Sequence, residues 1–351
     1  MYQLKIGNKI INKNSPIYII AEAGVNHNGS LSLGKKLIDT AVKAKADAVK
    51  FQTFVADNII IPKGPKAKYH IETTGSNKKL LWFDLLKSQE ISKRMHIQLI
   101  DYCKKKKITF LSTPYDNDSA LLLNELNIQA FKIASTDNDN YPFISFLKKM
   151  KKPIILSTAM SSYNEVKKAY KLLQSSKFRN FAIMQCTGNY PTKIENVNLN
   201  VIDVYNKKFK CPIGFSDHTQ DSTSAIASVG KGVKIIEKHF TLNKKLKGPD
   251  HRMSLEPLEL IKFVREIRNA EKALGNSKKI VIKSEVSNRK KLKKSLVSSI
   301  FITKGQKITR NLISIKRPAY GLRPVDITKI IGKKAKINIK KNLILKKEMF
   351  K

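Results

Sequence analysis

The sequence predicts an α/β chain: a closed (β/α)8 TIM barrel followed by a small β-rich domain. Three observations carry that reading. Eight short apolar runs alternate with amphipathic helical segments across about 250 residues, the size of one such barrel. Two adjacent runs, GFSDH and IIEKH, close on a histidine each, His218 and His239. Beyond about residue 280 the helical period gives way to short strands with Lys-Gly turns.

The expected strands are residues 17–24, 47–52, 108–113, 129–135, 153–159, 181–187, 212–218 and 233–240. The helices between them show apolar stripes at helical spacing, such as Leu33, Leu37 and Ala41, or Val166, Ala169, Tyr170 and Leu173. The second stripe is entered through a capping box, Ser162 to Glu165, and the last helix starts at Pro257 and stops at Gly275. An open doubly wound sheet would more often carry a Gly-rich phosphate fingerprint after its first strand, and AEAGVNHNG is not one. Residues 53–90 are too long for an ordinary βα connection and read as a loop folded over the barrel mouth, with LLWFDLLKSQEIS helical inside it. The expected domains are a catalytic barrel over 1–280, a basic polar linker over 281–292 and a small β domain over 293–351. That last piece is near the lower size limit for folding alone.

Composition removes several function classes. A chain of 351 residues, 41% hydrophobic with 12 prolines and 15 glycines, is ordinary for a folded protein and unlike a disordered one. No window approaches the apolar length of a membrane span, and MYQLKIGNKIINKN lacks the pattern of a signal peptide. Cys103, Cys186 and Cys211 have no CxxC spacing and cannot all pair, which points to a reducing cytoplasm. A formal charge of +41, from 68 Lys and Arg against 27 Asp and Glu, would suggest nucleic acid or an anionic surface. The lysines are spread along the whole chain rather than gathered in an arm, which favours a compositional bias and no specific nucleic-acid partner. Attraction of anionic substrates follows either way.

Side chains alternate along a strand, so Ser216 shares a face with His218, and Glu237 with His239. Two imidazoles and a carboxylate therefore converge at the C-terminal mouth, where barrel enzymes keep their chemistry, and imidazole is the commonest ligand for a mid-row divalent metal. A lone histidine here would be read as a strand cap. The same parity turns Glu22 inward with Ile20 and Gln52 inward with Lys50, whereas Lys238, opposite in parity to His239, points toward the helices.

Ten blocks in order, AEAGVNHNG, ADAVKFQTF, FLSTPYD, FKIAS, ILSTAM, CTGNYPT, GFSDHT, IEKHFTL, GPDHRMSLEP and KRPAYGLRP, resemble the sialic acid synthases, the N-acylneuraminate synthase family. The resemblance spans essentially the whole chain, and the C-terminal piece is similar to the family's antifreeze-like (SAF) domain. It implies condensation of phosphoenolpyruvate with an N-acetylmannosamine-type aldose to a nine-carbon 2-keto acid and phosphate. The aldose could be N-acetylmannosamine, its 6-phosphate or a 2,4-diacetamido-trideoxy sugar leading to legionaminic or pseudaminic acids. It also implies a divalent metal on His218 and His239, most often Mn2+, with Mg2+ or Co2+ as substitutes. Lys50, Thr113, Lys132, Ser135, Ser157 and Tyr190 match the family's phosphoenolpyruvate contacts. Gln52, Asn77, Tyr190, Asp250 and Arg317 match its sugar contacts, and Glu22 and Glu237, with the two histidines, its catalytic groups. Arg317 matches an arginine that reaches the neighbouring subunit's site in a domain-swapped homodimer. Gly188 stands where the family carries Asn or Ser, with Asn189 or backbone as replacements, and Ala319 where it carries Gly.

The charges suit such a substrate, because an anion with about three negative charges needs cations and short hydroxyls rather than apolar walls. Glu22 has two readings: it manages the proton of the water that adds to the substrate, or it only orients the sugar. Two rival classes remain. A Schiff-base aldolase would use Lys132 as nucleophile, and a nucleic-acid module would bind with strong salt dependence. Cys186 reads as a small buried strand-end residue rather than a nucleophile.

Overall fold

The structure is a computed structural model describing residues 2–66, 71, 81–175 and 178–351. The chain divides into two compact units, Met1–Gly275 and Asn276–Lys351. Among the described residues, no helix is long and apolar enough to cross a membrane.

The first unit begins with a hairpin, β1 (Gln3–Ile6) and β2 (Lys9–Asn12), turned by Gly7 at φ +53°. A two-residue Gly-Asn connection suits such a turn because the first position needs positive φ. Leu4, Ile6 and Ile11 pack with Tyr18, Ile20, Ala48, Leu111, Ile155 and Met184, so the hairpin closes the barrel interior from its N-terminal end. This element has no counterpart in the expected strands.

Eight parallel strands follow: β3 (Tyr18–Gly24), β4 (Ala48–Thr53), β5 (Thr109–Pro114), β6 (Phe131–Ile133), β7 (Ile154–Ser157), β8 (Phe181–Cys186), β9 (Ile213–Asp217) and β10 (Ile235–His239). They close as a barrel in chain order, with β10 paired to β3. All eight lie where the apolar runs placed them; β6 is shorter than expected because a 3-10 turn, Ser135–Asp137, takes over at its end. Strand residues facing outward, such as Ile19, Val49, Phe131 and Ile236, join the helices in the larger apolar core.

Helices α1 (Leu31–Lys43), α2 (Ala56–Ile59), α3 (Trp82–Lys87), α4 (Lys93–Lys106), α5 (Asn117–Glu125), α6 (Tyr141–Lys149), α7 (Tyr163–Gln174), α8 (Asn200–Lys208), α9 (Thr223–Gly230) and α10 (Pro257–Leu274) complete the unit. In α7 the expected stripe, Val166, Ala169, Tyr170 and Leu173, is buried, and the Ser162–Glu165 capping box is formed. Helix α10 starts on Pro257 and ends at Gly275, whose φ of +55° suits a residue without Cβ.

In the second unit, the stretch expected as a linker holds a helix, α11 (Glu285–Leu292), with no buried residue. Glu285 in its first turn and Arg289, Lys290 and Lys291 in its last complement the helix dipole, which explains a helix without an apolar face. Strands β11 (Ser295–Ser298) and β12 (Ile313–Lys316) pair antiparallel. Further antiparallel bridges join Ile302 to Ile339 and Lys307 to Lys334 around a core of Leu296, Ile302, Ile308, Ile339 and Leu345. The Lys-Gly turn at Gly305 and the Gly-Lys turn at Gly332 have φ of +85° and +84°, which glycine adopts without strain.

Candidate active site

A cavity of about 440 Å³ opens at the C-terminal ends of the barrel strands, within the usual range for small-molecule sites. Strand parity builds its floor. Glu22 of β3, Lys50 of β4, Thr113 of β5, Lys132 of β6, Ser157 of β7, Cys186 of β8, Ser216 of β9, and Glu237 and His239 of β10 all line it. His218 follows β9 directly and lines it too.

The floor is a connected charge network. Lys50 Nζ lies 2.9 Å from Glu22 Oε2 and 3.7 Å from Glu237 Oε1, and donates to Thr113 Oγ1 at 2.9 Å. Lys132 Nζ donates to Ser157 Oγ at 2.6 Å and lies 3.6 Å from Glu237 Oε1. Ser216 Oγ donates to the same oxygen at 3.3 Å, and Gln52 Nε2 donates to Glu22 Oε1 at 3.3 Å. Glu22, Gln52 and Asp250 converge above β3: a Cβ on Gly24 would lie 3.4 Å from an oxygen or nitrogen of each. Gly24, at φ +53°, leaves that space open.

Burial sets the protonation states. Desolvation raises Glu22 to about 7, with Lys50 opposing it, and raises Asp250 to about 6. Burial alone would raise Glu237 as well, but the two nearby ammonium groups, Lys132 and Lys50, hold it below the usual carboxylate range. Burial pulls Lys132 down; on Lys50 the opposing Glu22 and Glu237 prevail and raise it. Both site histidines are neutral near pH 7, since burial lowers His218 to about 4 and His239 well below its ordinary value.

Those neutral imidazoles decide whether a metal would fit. His218 Nδ1 donates to the Thr187 carbonyl at 2.7 Å, which fixes the tautomer and leaves Nε2 as the acceptor nitrogen, 3.9 Å from the Cys186 thiol. His239 Nδ1 is buried with no hydrogen-bond partner, and Asp250 Oδ2 is 3.7 Å away. The two rings are 5.4 Å apart, and Tyr190 stacks on His218 at 4.1 Å. Among the described residues no cluster of three or more His, Cys, Asp or Glu is arranged to hold a metal. Two imidazoles with available lone pairs fit a divalent ion that takes its other positions from substrate or water.

The structure thus brings together Glu22, Lys50, Gln52, Thr113, Lys132, Ser135, Ser157, Tyr190, His218, Glu237, His239 and Asp250 in one cavity. Asn77 lies outside the described residues. Arg317 is exposed on the turn after β12 in the second unit. Ser135 faces the cavity while its Oγ accepts the Ala159 amide at 2.9 Å. Asn189 is exposed; at Gly188 a Cβ would sit 2.8 Å from Met160 Cγ, so the methionine fills the space a larger residue would take. Lys238 points outward as its parity requires, 2.9 Å from Asp217 Oδ2 and bonded to the carbonyls of Thr219 and Asp221. Burial raises the Cys186 thiol to about 11, so it is not a thiolate near neutral pH.

Comparison with known proteins decides the family. Residues 37–279 match the NeuB family, and residues 293–351 match the SAF domain. The chain belongs to the NeuB family, the sialic acid synthase-like enzymes, with a C-terminal SAF domain. It is 41% identical to the N,N'-diacetyllegionaminic acid synthase of Campylobacter jejuni, over 93% of this chain and 98% of that protein. It is 33% identical to the human N-acetylneuraminate-9-phosphate synthase, over 95% and 92%. Among solved structures, the sialic acid synthetase of Leptospira borgpetersenii superposes with a TM-score of 0.71 at 34% identity, covering 82% of this chain and 94% of that one.

Part of this NeuB-family site is not marked by any motif. Ile59, Ile60, Trp82, Leu85, Leu86 and Gln89, all from the long segment after β4, line one side of the cavity. Positions 82, 85, 86 and 89 follow helical spacing, a signal present in LLWFDLLKSQE that points to one face without saying what that face meets.

Proposed function

We propose that the chain is a metal-dependent nonulosonic acid synthase: it condenses phosphoenolpyruvate with an N-acylamino aldose to give a nine-carbon 2-keto acid and free phosphate. The observation that carries this reading is the pair Lys50 and Lys132, backed by the hydroxyls of Thr113 and Ser157, beside two neutral histidines. Phosphate and carboxylate find cations and short donors there. The C3 carbon of phosphoenolpyruvate bonds to the aldehyde carbon, water adds at C2, and the C–O bond to phosphate breaks. A divalent ion such as Mn2+ held by His218 and His239 would supply Lewis acidity for the aldehyde oxygen.

The side chains perform the remaining work. Glu22, raised to about 7, exchanges a proton near neutral pH and sits where it can take one from the added water. Gln52 and Asp250, converging with Glu22, orient the sugar hydroxyls, and Tyr190 packs against His218. Glu237 stays ionised between the two lysines and keeps both aimed at the substrate anion. In this reading the protein works as a homodimer in which Arg317 of one chain reaches the sugar bound by the other. The relatives' names differ in product, so they do not choose the aldose.

The test is a discontinuous assay of phosphate and of 2-keto acid, with Mn2+, phosphoenolpyruvate and each of several N-acylamino aldoses. Stoichiometric phosphate and nine-carbon acid, lost on chelation and restored by metal, support the reading. Phosphate released equally without sugar overturns it.

A further inference from the structure

The loop after β8 carries two groups that meet His218 but has little buried surface of its own. Thr187, Gly188, Asn189, Tyr190 and Pro191 are each at least partly exposed, and Thr192, at 5% exposure, is the first buried residue after Cys186. A loop with few buried contacts opens locally at low cost unless hydrogen bonds hold it. Yet the Thr187 carbonyl accepts the His218 Nδ1–H, and the Tyr190 ring stacks on the same imidazole at 4.1 Å.

Thr192 joins this loop to His218 from both sides. Its backbone N–H donates to the His218 carbonyl at 2.8 Å. Its Oγ1 donates to the Asn189 carbonyl at 2.8 Å, with the Thr187 carbonyl as a second acceptor at 3.4 Å. The links close a ring that runs from the imidazole to Thr187, through the Thr192 hydroxyl and amide, and back to the backbone of His218. A neutral imidazole has one N–H, and the acceptor it finds decides which nitrogen carries it. The place of the Thr187 carbonyl relative to the His218 backbone therefore sets both the tautomer and the ring plane. The Thr187 side chain is tied separately, its Oγ1 donating to the Asn196 carbonyl at 3.1 Å, so loss of the Thr192 hydroxyl should loosen the loop without unfolding it.

We propose that Thr192 is a positioning residue for His218: its hydroxyl holds the Thr187 carbonyl where the imidazole donates Nδ1–H, which keeps Nε2 as the acceptor nitrogen. The tautomer follows from this chain of bonds alone; the consequence for a divalent ion rests on the synthase reading above.

The experiment compares Thr192→Val, which keeps the backbone N–H and the side-chain shape but loses the hydroxyl, with Thr192→Ser, which keeps the hydroxyl. In metal-free protein labelled with 15N-histidine, the His218 signals are assigned by their loss in His218→Ala. Wild type and Thr192→Ser should show one His218 tautomer, protonated on Nδ1, and Thr192→Val should show both. Mn2+ titration followed by the electron paramagnetic resonance of the free ion should give a Kd about tenfold or more weaker in Thr192→Val and within about twofold of wild type in Thr192→Ser, the scale of a partner that orients a ligating histidine. A lower melting temperature in Thr192→Val with tautomer and Mn2+ affinity unchanged would overturn the proposal, because the hydroxyl would then only stabilise its own turn. Equal losses in both variants would overturn it too. A wild type that binds no Mn2+ would overturn the metal assignment in the synthase reading, and the tautomer comparison would still decide the role of Thr192 by itself.

Discussion

Replacing Lys132 by Met separates the anion site from the sugar site. Lys50 is already committed, with Glu22 Oε2 and Thr113 Oγ1 each at 2.9 Å. Lys132 has one close partner, Ser157, and a carboxylate at 3.6 Å, so more of its charge is available to an incoming anion. A hydrogen bond to a charged group contributes about 1.5–3 kcal/mol. Removing this one should therefore raise KM for phosphoenolpyruvate about 10- to 100-fold, while KM for the sugar moves far less. Steady-state kinetics with each substrate varied against saturating partner gives both values, and circular dichroism checks the fold. Methionine matches the buried stem, so the barrel should persist. An equal rise in both KM values would refute the division of the cavity into an anion floor and a sugar side.

Three further outcomes follow from the proposed reaction and the proposed homodimer. His239→Ala should abolish turnover even with added Mn2+ and should weaken Mn2+ binding, measured by titration, because one imidazole cannot hold the ion alone; full activity after thorough chelation would remove the metal assignment. Mixing inactive Arg317→Ala with inactive His239→Ala under subunit exchange should recover at most about a quarter of wild-type activity, since about half the dimers are mixed and each holds one intact site; no recovery despite exchange would place Arg317 within its own chain's chemistry or outside it. Borohydride reduction in the presence of substrates should leave no adduct on Lys132, and mass spectrometry showing one would revive the aldolase reading.

How much was legible depended on whether an element announces itself locally. The eight barrel strands did, as apolar runs bounded by turns, and so did the capping box at Ser162 and the stop at Gly275. The N-terminal hairpin was written in LKIGNKII, a Gly-Asn turn between alternating residues, but with four-residue strands it gave too weak a signal beside the longer runs. Helix α11 lacks any apolar face, so only its charge order distinguishes it from a polar linker.

Strands β9 and β10 show why parity carried the site further than motif spacing. Each writes two layers in one run of residues. Inward, Ser216, His218, Glu237 and His239 face the cavity; outward, Asp217 and Lys238 meet at 2.9 Å with 0% and 1% side-chain exposure. The outward pair clamps the two strands together at the step where both histidines emerge, because Lys238 also bonds the carbonyls of Thr219 and Asp221 just past His218. Breaking a buried pair by removing one partner costs about 3–5 kcal/mol, since the other charge is left uncompensated. Lys238→Met should therefore lower the melting temperature of the isolated protein, measured by calorimetry, although Lys238 touches neither substrate nor metal. A Lys238→Met protein as stable as wild type would mean that the two strands are held by their backbone ladder alone, and that the outward layer contributes nothing to the spacing of the histidines.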